Sequence, residues 1–160
     1  MILAHLPSGY LTGRAFGIRQ GPVMWAALAG SVFPDLDMFW FHFVDNGRVH
    51  HHYYWVHIPA FWACLAIVVL PVIRVFARRW MPTAIAFLCG VFVHLILDTL
   101  SGGIMWLWPA HRWLIHLIDV PATQNHWILS FLLHWSVLAE LAIIAAAIFL
   151  FLRPVKVPRP

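Results

Sequence analysis

The chain has 160 residues, of which 62% are hydrophobic and only 10% are charged. Soluble domains carry about 25% charged residues, so this chain has too little charge to cover a surface exposed to water. With a mean hydropathy of +0.82, the composition argues against soluble, disordered and nucleic-acid-binding proteins and predicts an integral membrane protein. Histidine is unusually frequent, with 11 residues, although imidazoles are costly inside a bilayer.

The hydrophobic segments predict the fold class, because a membrane-spanning helix needs about 20 apolar residues. Four segments reach that length, and a shorter apolar stretch, residues 1–16, precedes them. We therefore expect an all-α bundle in one membrane-embedded domain, residues 1–160, with four full transmembrane helices and a short N-terminal membrane helix. The expected spans cover residues 23–44, 55–76, 82–100 and 126–152, and residues 101–125 form an outer loop.

The basic residues predict the direction of these spans, since Lys and Arg accumulate on the cytoplasmic side of a membrane. In a four-span hairpin topology, only Arg48 and Arg112 fall on one side. We expect the other side, which includes the C-terminus, to face the cytoplasm, in a multi-pass protein of the cytoplasmic membrane. Its basic residues are Arg14, Arg19, Arg74, Arg78, Arg79, Arg153, Lys156 and Arg159.

His94 and Asp98 form the first candidate pair of functional residues. They are four residues apart in the third expected span, so on a helix both side chains project from one face. We interpret this carboxylate and imidazole as a pair of metal ligands. The alternative is a His–Asp hydrogen bond that holds two helices together.

Asp35 and Asp37 lie beside Pro34 in the first expected span. A regular helix would point the two carboxylates about 200° apart. Pro34 lacks an N–H and disfavours helix at Phe33, so an unwound turn can aim both carboxylates at one point. Such breaks are tolerated where they line a polar cavity, and two adjacent carboxylates favour a cation or proton between them. The alternative is a helix end with both carboxylates hydrated.

A histidine-rich run, His50, His51, His52 and His57, precedes the second expected span. Imidazole suits Zn, Fe, Ni and Cu, whereas carboxylates add affinity for Mn or Mg. Mixed His and Asp ligands are typical of hydrolytic metal centres. The alternative is a solvated loop with scattered histidines.

Two more polar residues lie in apolar surroundings. His5 can join the same site if the first segment folds back with its N-terminus outside. Glu140 lies near the middle of the fourth expected span, where an unpaired charge is expensive. We therefore expect Glu140 to be protonated or paired.

Together these motifs resemble the YdjM-like family, over most of residues 5–109. The resemblance implies a metal-dependent hydrolase of the inner membrane, and His5 with Gly9 also suits the family pattern. The matching motifs are Pro34-Asp35-Leu36-Asp37, the pair His52 and His57, and His94 with Asp98 followed by Gly103-Ile104 and Leu107-x-Pro109.

The chain departs from the family pattern around the histidine pair. The family has Arg after the first histidine, where this chain has Tyr53, and it has Thr and Ser beside the second, where this chain has Val56 and Ile58. Arg is a natural clamp for phosphate or carboxylate groups, so its loss leaves the substrate class open. Arg48 or Arg112 can substitute for it.

We expect a membrane-embedded metal-dependent hydrolase that acts on a lipid or lipid-linked (phospho)ester from the non-cytoplasmic side. Its cofactor would be one or more divalent ions, Zn or Mn, and no nucleic-acid partner is expected. Asp35, Asp37 and Asp98 are the expected catalytic residues. The expected metal ligands are His5, Asp35, Asp37, His52, His57, His94 and Asp98.

Two other functions remain open. A metal-binding or metal-translocating protein would use Glu140 and His134 to continue a path from the outer cluster into the membrane, and it should fail without Glu140. A haem protein would use histidines on facing spans, such as His94 and His134, as axial ligands. A haem site has no need for three aspartates beside it, which argues against this third function.

Overall fold

The structure is a computed structural model that describes residues 3–153. All the secondary-structure elements in that range are helices. The predicted all-α class is therefore confirmed. The α-helices are α1 (His5–Ala15), α2 (Pro22–Val32), α3 (Asp37–Phe43), α4 (Pro59–Phe76), α5 (Met81–Ser101), α6 (Trp127–Leu132) and α7 (Val137–Leu152). Short 3-10 turns lie at Pro34–Leu36, His51–Tyr53, Trp55–His57 and Arg78–Trp80. Lys156 and Arg159, expected on the cytoplasmic side, lie outside the described residues.

Two helical segments within the described chain are long and apolar enough to cross a membrane, Pro59–Phe76 and Arg78–Ser101. They correspond to the expected spans 55–76 and 82–100. Pro59 and Pro82 lie in the first turns of α4 and α5, where a missing N–H costs no helical hydrogen bond. These prolines therefore start the two helices rather than interrupt them.

The expected span 23–44 is not one helix. It is divided into α2, the turn Pro34–Leu36 and α3, because Pro34 lacks the N–H that would continue the helical hydrogen bonds. Phe33 itself stays helical, with a φ of −57° and a ψ of −43°, so the expected loss of helix at Phe33 is wrong. With 11 residues each, α1 and α2 are about 16 Å long, roughly half the thickness of the hydrocarbon core. The expectation of four full transmembrane helices is wrong for this segment.

The expected span 126–152 is divided as well, into α6 and the 16-residue α7. Between them, the His134 Nδ1 lies 2.9 Å from the Ser136 Oγ and accepts the Ser136 backbone N–H at 3.3 Å. Such local bonds from side chain to backbone compete with the helical ladder. A hydropathy window averages over this break, so the sequence predicted one continuous span where the structure has two helices.

Helices α1, α2 and α5 pack closely against one another. A Cβ at Gly30 would overlap the carbonyl oxygen of Phe87, and a Cβ at Gly90 would overlap that of Ala27. Small residues at such crossings are typical of membrane helices, which associate through close packing and not through exclusion of water. This packing brings the start of α1, the end of α2 and the C-terminal end of α5 together.

An apolar cluster packs next to these helix ends. Its buried members are Trp62, Val91, Leu95 and Ile104. The indole Nε1 of Trp62 donates a hydrogen bond of 2.8 Å to the Val56 carbonyl, which ties α4 to the turn that carries His57. The outer loop returns to α5, where the Leu117 N–H donates to the Thr99 carbonyl at 2.9 Å.

Candidate metal centre

His94 and Asp98 lie on the buried face of α5, and their side chains are at most 3% exposed. The His94 Nε2 is 3.0 Å from the Asp98 Oδ2, as the spacing of four residues predicts. The His94 Nδ1 faces the backbone carbonyl of Ser31 at 2.8 Å. A carbonyl can only accept, so Nδ1 carries the proton and Nε2 presents its lone pair to the site.

His52 is held in the same way by the backbone that follows α5. Its Nδ1 donates to the Gly103 carbonyl at 2.7 Å and to the Gly102 carbonyl at 3.0 Å. Its Nε2 lies 3.5 Å from the Asp98 Oδ2. A Cβ at Gly102 would overlap the His52 ring, and Gly103 has a φ of +82°, which favours glycine. Both glycines therefore serve the placement of His52.

His57 lies at the end of the last turn before α4 and is fully buried. Its Nδ1 is 2.8 Å from the Asp37 Oδ2. Its Nε2 is 3.7 Å from the Asp98 Oδ2 and 3.3 Å from the Nε2 of His94. Asp37 thus contacts the nitrogen of His57 that points away from Asp98.

The three imidazoles share one arrangement. Each engages a hydrogen-bond acceptor through Nδ1 and directs Nε2 towards one carboxylate oxygen, the Asp98 Oδ2. Histidines that bind metals have this arrangement, because the outer acceptor fixes the tautomer and the ring orientation. The residues present therefore fit a divalent ion.

His5 and Asp35 complete the cluster. The His5 Nε2 lies 3.2 Å from the Asp98 Oδ1, and the His5 and His94 ring centroids are 3.9 Å apart. Asp35 places its Oδ1 3.7 Å from the His94 Nε2 while its side chain stays 41% exposed. The seven residues of the predicted ligand set thus all lie in one cluster, with Asp35 at its open edge.

His51 stands outside the predicted ligand set, although the structure places it beside the cluster. Its Nδ1 is 3.5 Å from the Asp37 Oδ1. The run of adjacent histidines was its only signal in the sequence. Among residues 3–153, two groups have ligand atoms within 4.8 Å of one another: Asp35, His57, His94 and Asp98; and His51, His52 and His57.

The pKa values of His52 and His57, which precede α4, shift in opposite directions. Burial alone would lower the pKa of His57, but hydrogen bonds with Asp37 and Asp98, and their charges, raise it to about 9. Burial lowers the pKa of His52 to about 3, although Asp98 acts in the opposite direction. Without a metal ion, His57 therefore carries the proton in this pair.

A cavity of about 890 Å³ opens next to the cluster. The polar part of its wall includes Asp35, His50, His51, His52 and Asp98. The apolar part comes from α3, the outer loop and α6, with Met38, Phe41, Val120, Ala122 and Phe131. The cavity therefore suits a molecule with a polar reacting group and an apolar body.

Glu140 and His134, which a metal-translocating protein would use, both contact other residues in the structure. Glu140 is fully buried and accepts the backbone N–H of Leu3 at 2.5 Å, in line with the expectation that it is paired. His134 contacts Ser136 at the start of α7. Both therefore contribute contacts that organise α7.

Comparison with known families agrees with these motifs. The family model described as YdjM inner membrane protein matches residues 1–159, and no curated protein or solved structure matches the chain. The match extends the resemblance beyond residues 5–109 to nearly the whole length. The chain belongs to the YdjM inner membrane protein family.

Proposed function

We propose that this protein is a metal-dependent hydrolase embedded in the inner membrane. The observation that carries the proposal is the convergence of three Nε2 atoms on the Asp98 Oδ2, each on an imidazole fixed through its Nδ1. Zn or Mn suits a set of this kind, which combines imidazole nitrogen with carboxylate oxygen. The proposed direct ligands are His52, His57, His94 and Asp98, with His5 and Asp35 at the edge of the same site.

The outer residues have positioning roles in this proposal. Asp37 accepts from the His57 Nδ1 and thereby orients its ring, so Asp37 supports a ligand. His51 in turn faces the second oxygen of Asp37 at 3.5 Å. A chain of two such contacts holds the loop before α4 against the metal site.

A bound divalent ion supplies Lewis-acid activation of water and of the scissile ester. Asp35 is the carboxylate placed to accept the proton of that water, because it is partly exposed and lines the cavity. Acid–base groups act from within hydrogen-bond reach of the proton that they move, and the cavity edge provides that reach. His51 and His50 line the same wall and can return a proton to the leaving oxygen.

The substrate we propose is a lipid or a lipid-linked (phospho)ester. The cavity combines the polar wall with an apolar one, so the ester would lie against the metal site and the apolar body against α3 and α6. Large apolar side chains of α3 are exposed beside it, namely Phe39, Trp40 and Phe43. They suit contact with the outer leaflet from which such a substrate would enter.

We place the site on the non-cytoplasmic side of a multi-pass protein, with the C-terminus in the cytoplasm. Helices α1, α4 and α5 have the site at one end and basic residues at the other. Basic residues mark the cytoplasmic side. Those at the far end are Arg14, Arg74, Arg78 and Arg79.

The test combines metal content with hydrolysis of lipid phosphoesters and carboxyl esters by the purified protein in detergent. Asp35→Asn should retain the metal but lose turnover by about 100-fold or more, since one acid–base group contributes about 10²–10⁴-fold. Asp119→Asn, in the exposed outer loop, serves as the control. Wild-type protein that holds metal and hydrolyses neither ester class would contradict the hydrolase.

A second candidate function is metal binding without hydrolysis. Val56 and Ile58, where the family has Thr and Ser, are buried apolar residues on both sides of His57. They leave the metal ligands in place but remove polar neighbours that a reaction can use. Stoichiometric metal together with no turnover in the same assay favours this function.

A further inference from the structure

We infer that Glu140 is a positioning residue for the metal site, which holds the start of α1 so that His5 stays against Asp98. This inference rests on the proposed metal site. Glu140 belongs to α7, a helix that contributes none of the ligands. Its role is therefore exerted through the segment that carries His5.

Glu140 contacts the backbone of the segment that leads into α1. The Glu140 carboxylate is fully buried and accepts the Leu3 N–H at 2.5 Å. A carboxylate removed from water is tolerated only where donors compensate for its lost hydration. The burial of the Glu140 carboxylate therefore depends on the chain segment that leads into α1.

Helix α1 has no side-chain cap at its start. The first N–H groups of any helix lack partners within the helix, and a side chain at the N-cap usually accepts one of them. The N-cap of α1 is Ala4, which has no acceptor. The Glu140 carboxylate accepts instead from Leu3, the residue before this N-cap, and so places negative charge near the helix start, where it is favourable.

The anchored backbone of Leu3 is close to the metal site along the chain. His5 is the first residue of α1, two residues after Leu3. Its Nε2 is 3.2 Å from the Asp98 Oδ1. Because so few bonds separate the anchored backbone from the imidazole, a frayed helix start would withdraw His5 from Asp98.

The packing of α7 supports a bracing role. Among the helix pairs with substantial contact in the described chain, α7 appears only with α1. The far end of α7 is attached separately, since the Arg19 guanidinium donates to the carbonyls of Leu150 and Arg153. The two attachments can therefore be removed one at a time.

The experiment measures the affinity of the full-length protein in detergent for Zn²⁺, and the visible spectrum of the Co²⁺ form. The variants are Glu140→Leu, Glu140→Gln, His5→Ala, the double variant Glu140→Leu/His5→Ala, and the matched control Arg19→Ala. Exchange of the backbone amides in residues 3–8 is followed by mass spectrometry on the same samples, without metal.

Glu140→Leu should weaken Zn²⁺ binding by about 10- to 100-fold, as expected when the outer contact of His5 with the ligand Asp98 is lost, and should change the Co²⁺ spectrum as His5→Ala does. The double variant should bind no more weakly than His5→Ala alone, because both changes remove the same contact. Glu140→Gln keeps an acceptor oxygen and should restore most of the affinity. Arg19→Ala should lower the melting temperature and leave the spectrum unchanged.

Additive losses in the double variant, or unchanged amide exchange at the start of α1 in Glu140→Leu, would overturn the positioning role. The same holds if Arg19→Ala weakens binding as much as Glu140→Leu does, since general loosening of α7 would then explain both. Failure of the proposed function looks different. In that case the wild-type protein itself binds no metal, while the exchange data still report on the anchor.

Discussion

His57 and His94 face each other through their Nε2 atoms, which are 3.3 Å apart. The Nδ1 of His94 is committed to a backbone carbonyl and that of His57 to the Asp37 carboxylate. With both Nδ1 atoms protonated, two neutral rings would bring two lone pairs together next to the Asp98 carboxylate. A proton or a metal ion between them resolves this conflict, and the choice between the two is the central question about this site.

Asp37→Asn tests whether Asp37 orients His57 or binds the metal itself. If Asp37 only orients His57, the variant should bind the metal about 10- to 100-fold more weakly, with the same stoichiometry. Equilibrium competition with a chelator measures the affinity. Asp45→Asn is the control, since Asp45 bonds to the Tyr54 hydroxyl outside the cluster. Complete loss of the metal would show that Asp37 is a direct ligand, as the sequence motif suggested.

Gly102→Ala should displace the His52 ring, which a Cβ at this position would overlap. Because the φ of Gly102 is negative, backbone strain is not the cause, and the expected effect is weaker metal binding. Gly17→Ala is the matched control: its φ is +73° and its surroundings are open, so it should cost about 1–2 kcal/mol of stability without a change in affinity. Equal metal affinity in the two variants would contradict the placement of His52.

Val120→Trp should narrow the cavity from its apolar wall, which Val120 lines. We expect normal metal content together with a raised KM for long-chain esters, since an indole would occupy the space of the substrate body. Thr123→Trp, exposed in the same loop, should leave the KM unchanged. Equal kinetics for short and long esters in Val120→Trp would contradict binding of the apolar body in this cavity.

The orientation of the protein can be tested by labelling single cysteines in intact cells. In a background without Cys64 and Cys89, Thr123→Cys lies in the outer loop and Ala77→Cys lies at the junction of α4 and α5. A thiol reagent that does not cross membranes should label position 123 at once and position 77 only after permeabilisation. The reverse order would place the metal site in the cytoplasm.

The site was more predictable from the sequence than the helix boundaries. His94 and Asp98 share a helical face by spacing alone, and Pro34 indicated the unwound turn that carries Asp35. Which ring nitrogen of His57 contacts Asp37 depends on the rotamers of both residues and on the turn before α4, and no spacing rule determines these. The position of the His51 ring beside Asp37 depends on the same turn and could not be predicted either.

The helix boundaries were less predictable because a hydropathy average does not detect side chains that compete for the hydrogen bonds of the helical backbone. The bonds between His134 and Ser136 end the helical ladder within an apolar stretch, where composition alone predicts an unbroken span. The same holds for the partner of Glu140, since a contact to the Leu3 backbone 137 residues away leaves no local pattern. Long-range backbone contacts of this kind become visible only in the folded chain.

Elemental analysis of the detergent-purified protein beside the double variant His94→Ala/Asp98→Ala decides whether the cluster is a metal centre. A metal centre predicts near-stoichiometric Zn or Mn in the wild-type protein and its loss in the variant. If neither protein holds metal after incubation with divalent ions, a proton joins His57 and His94, and the metal-dependent hydrolase is contradicted.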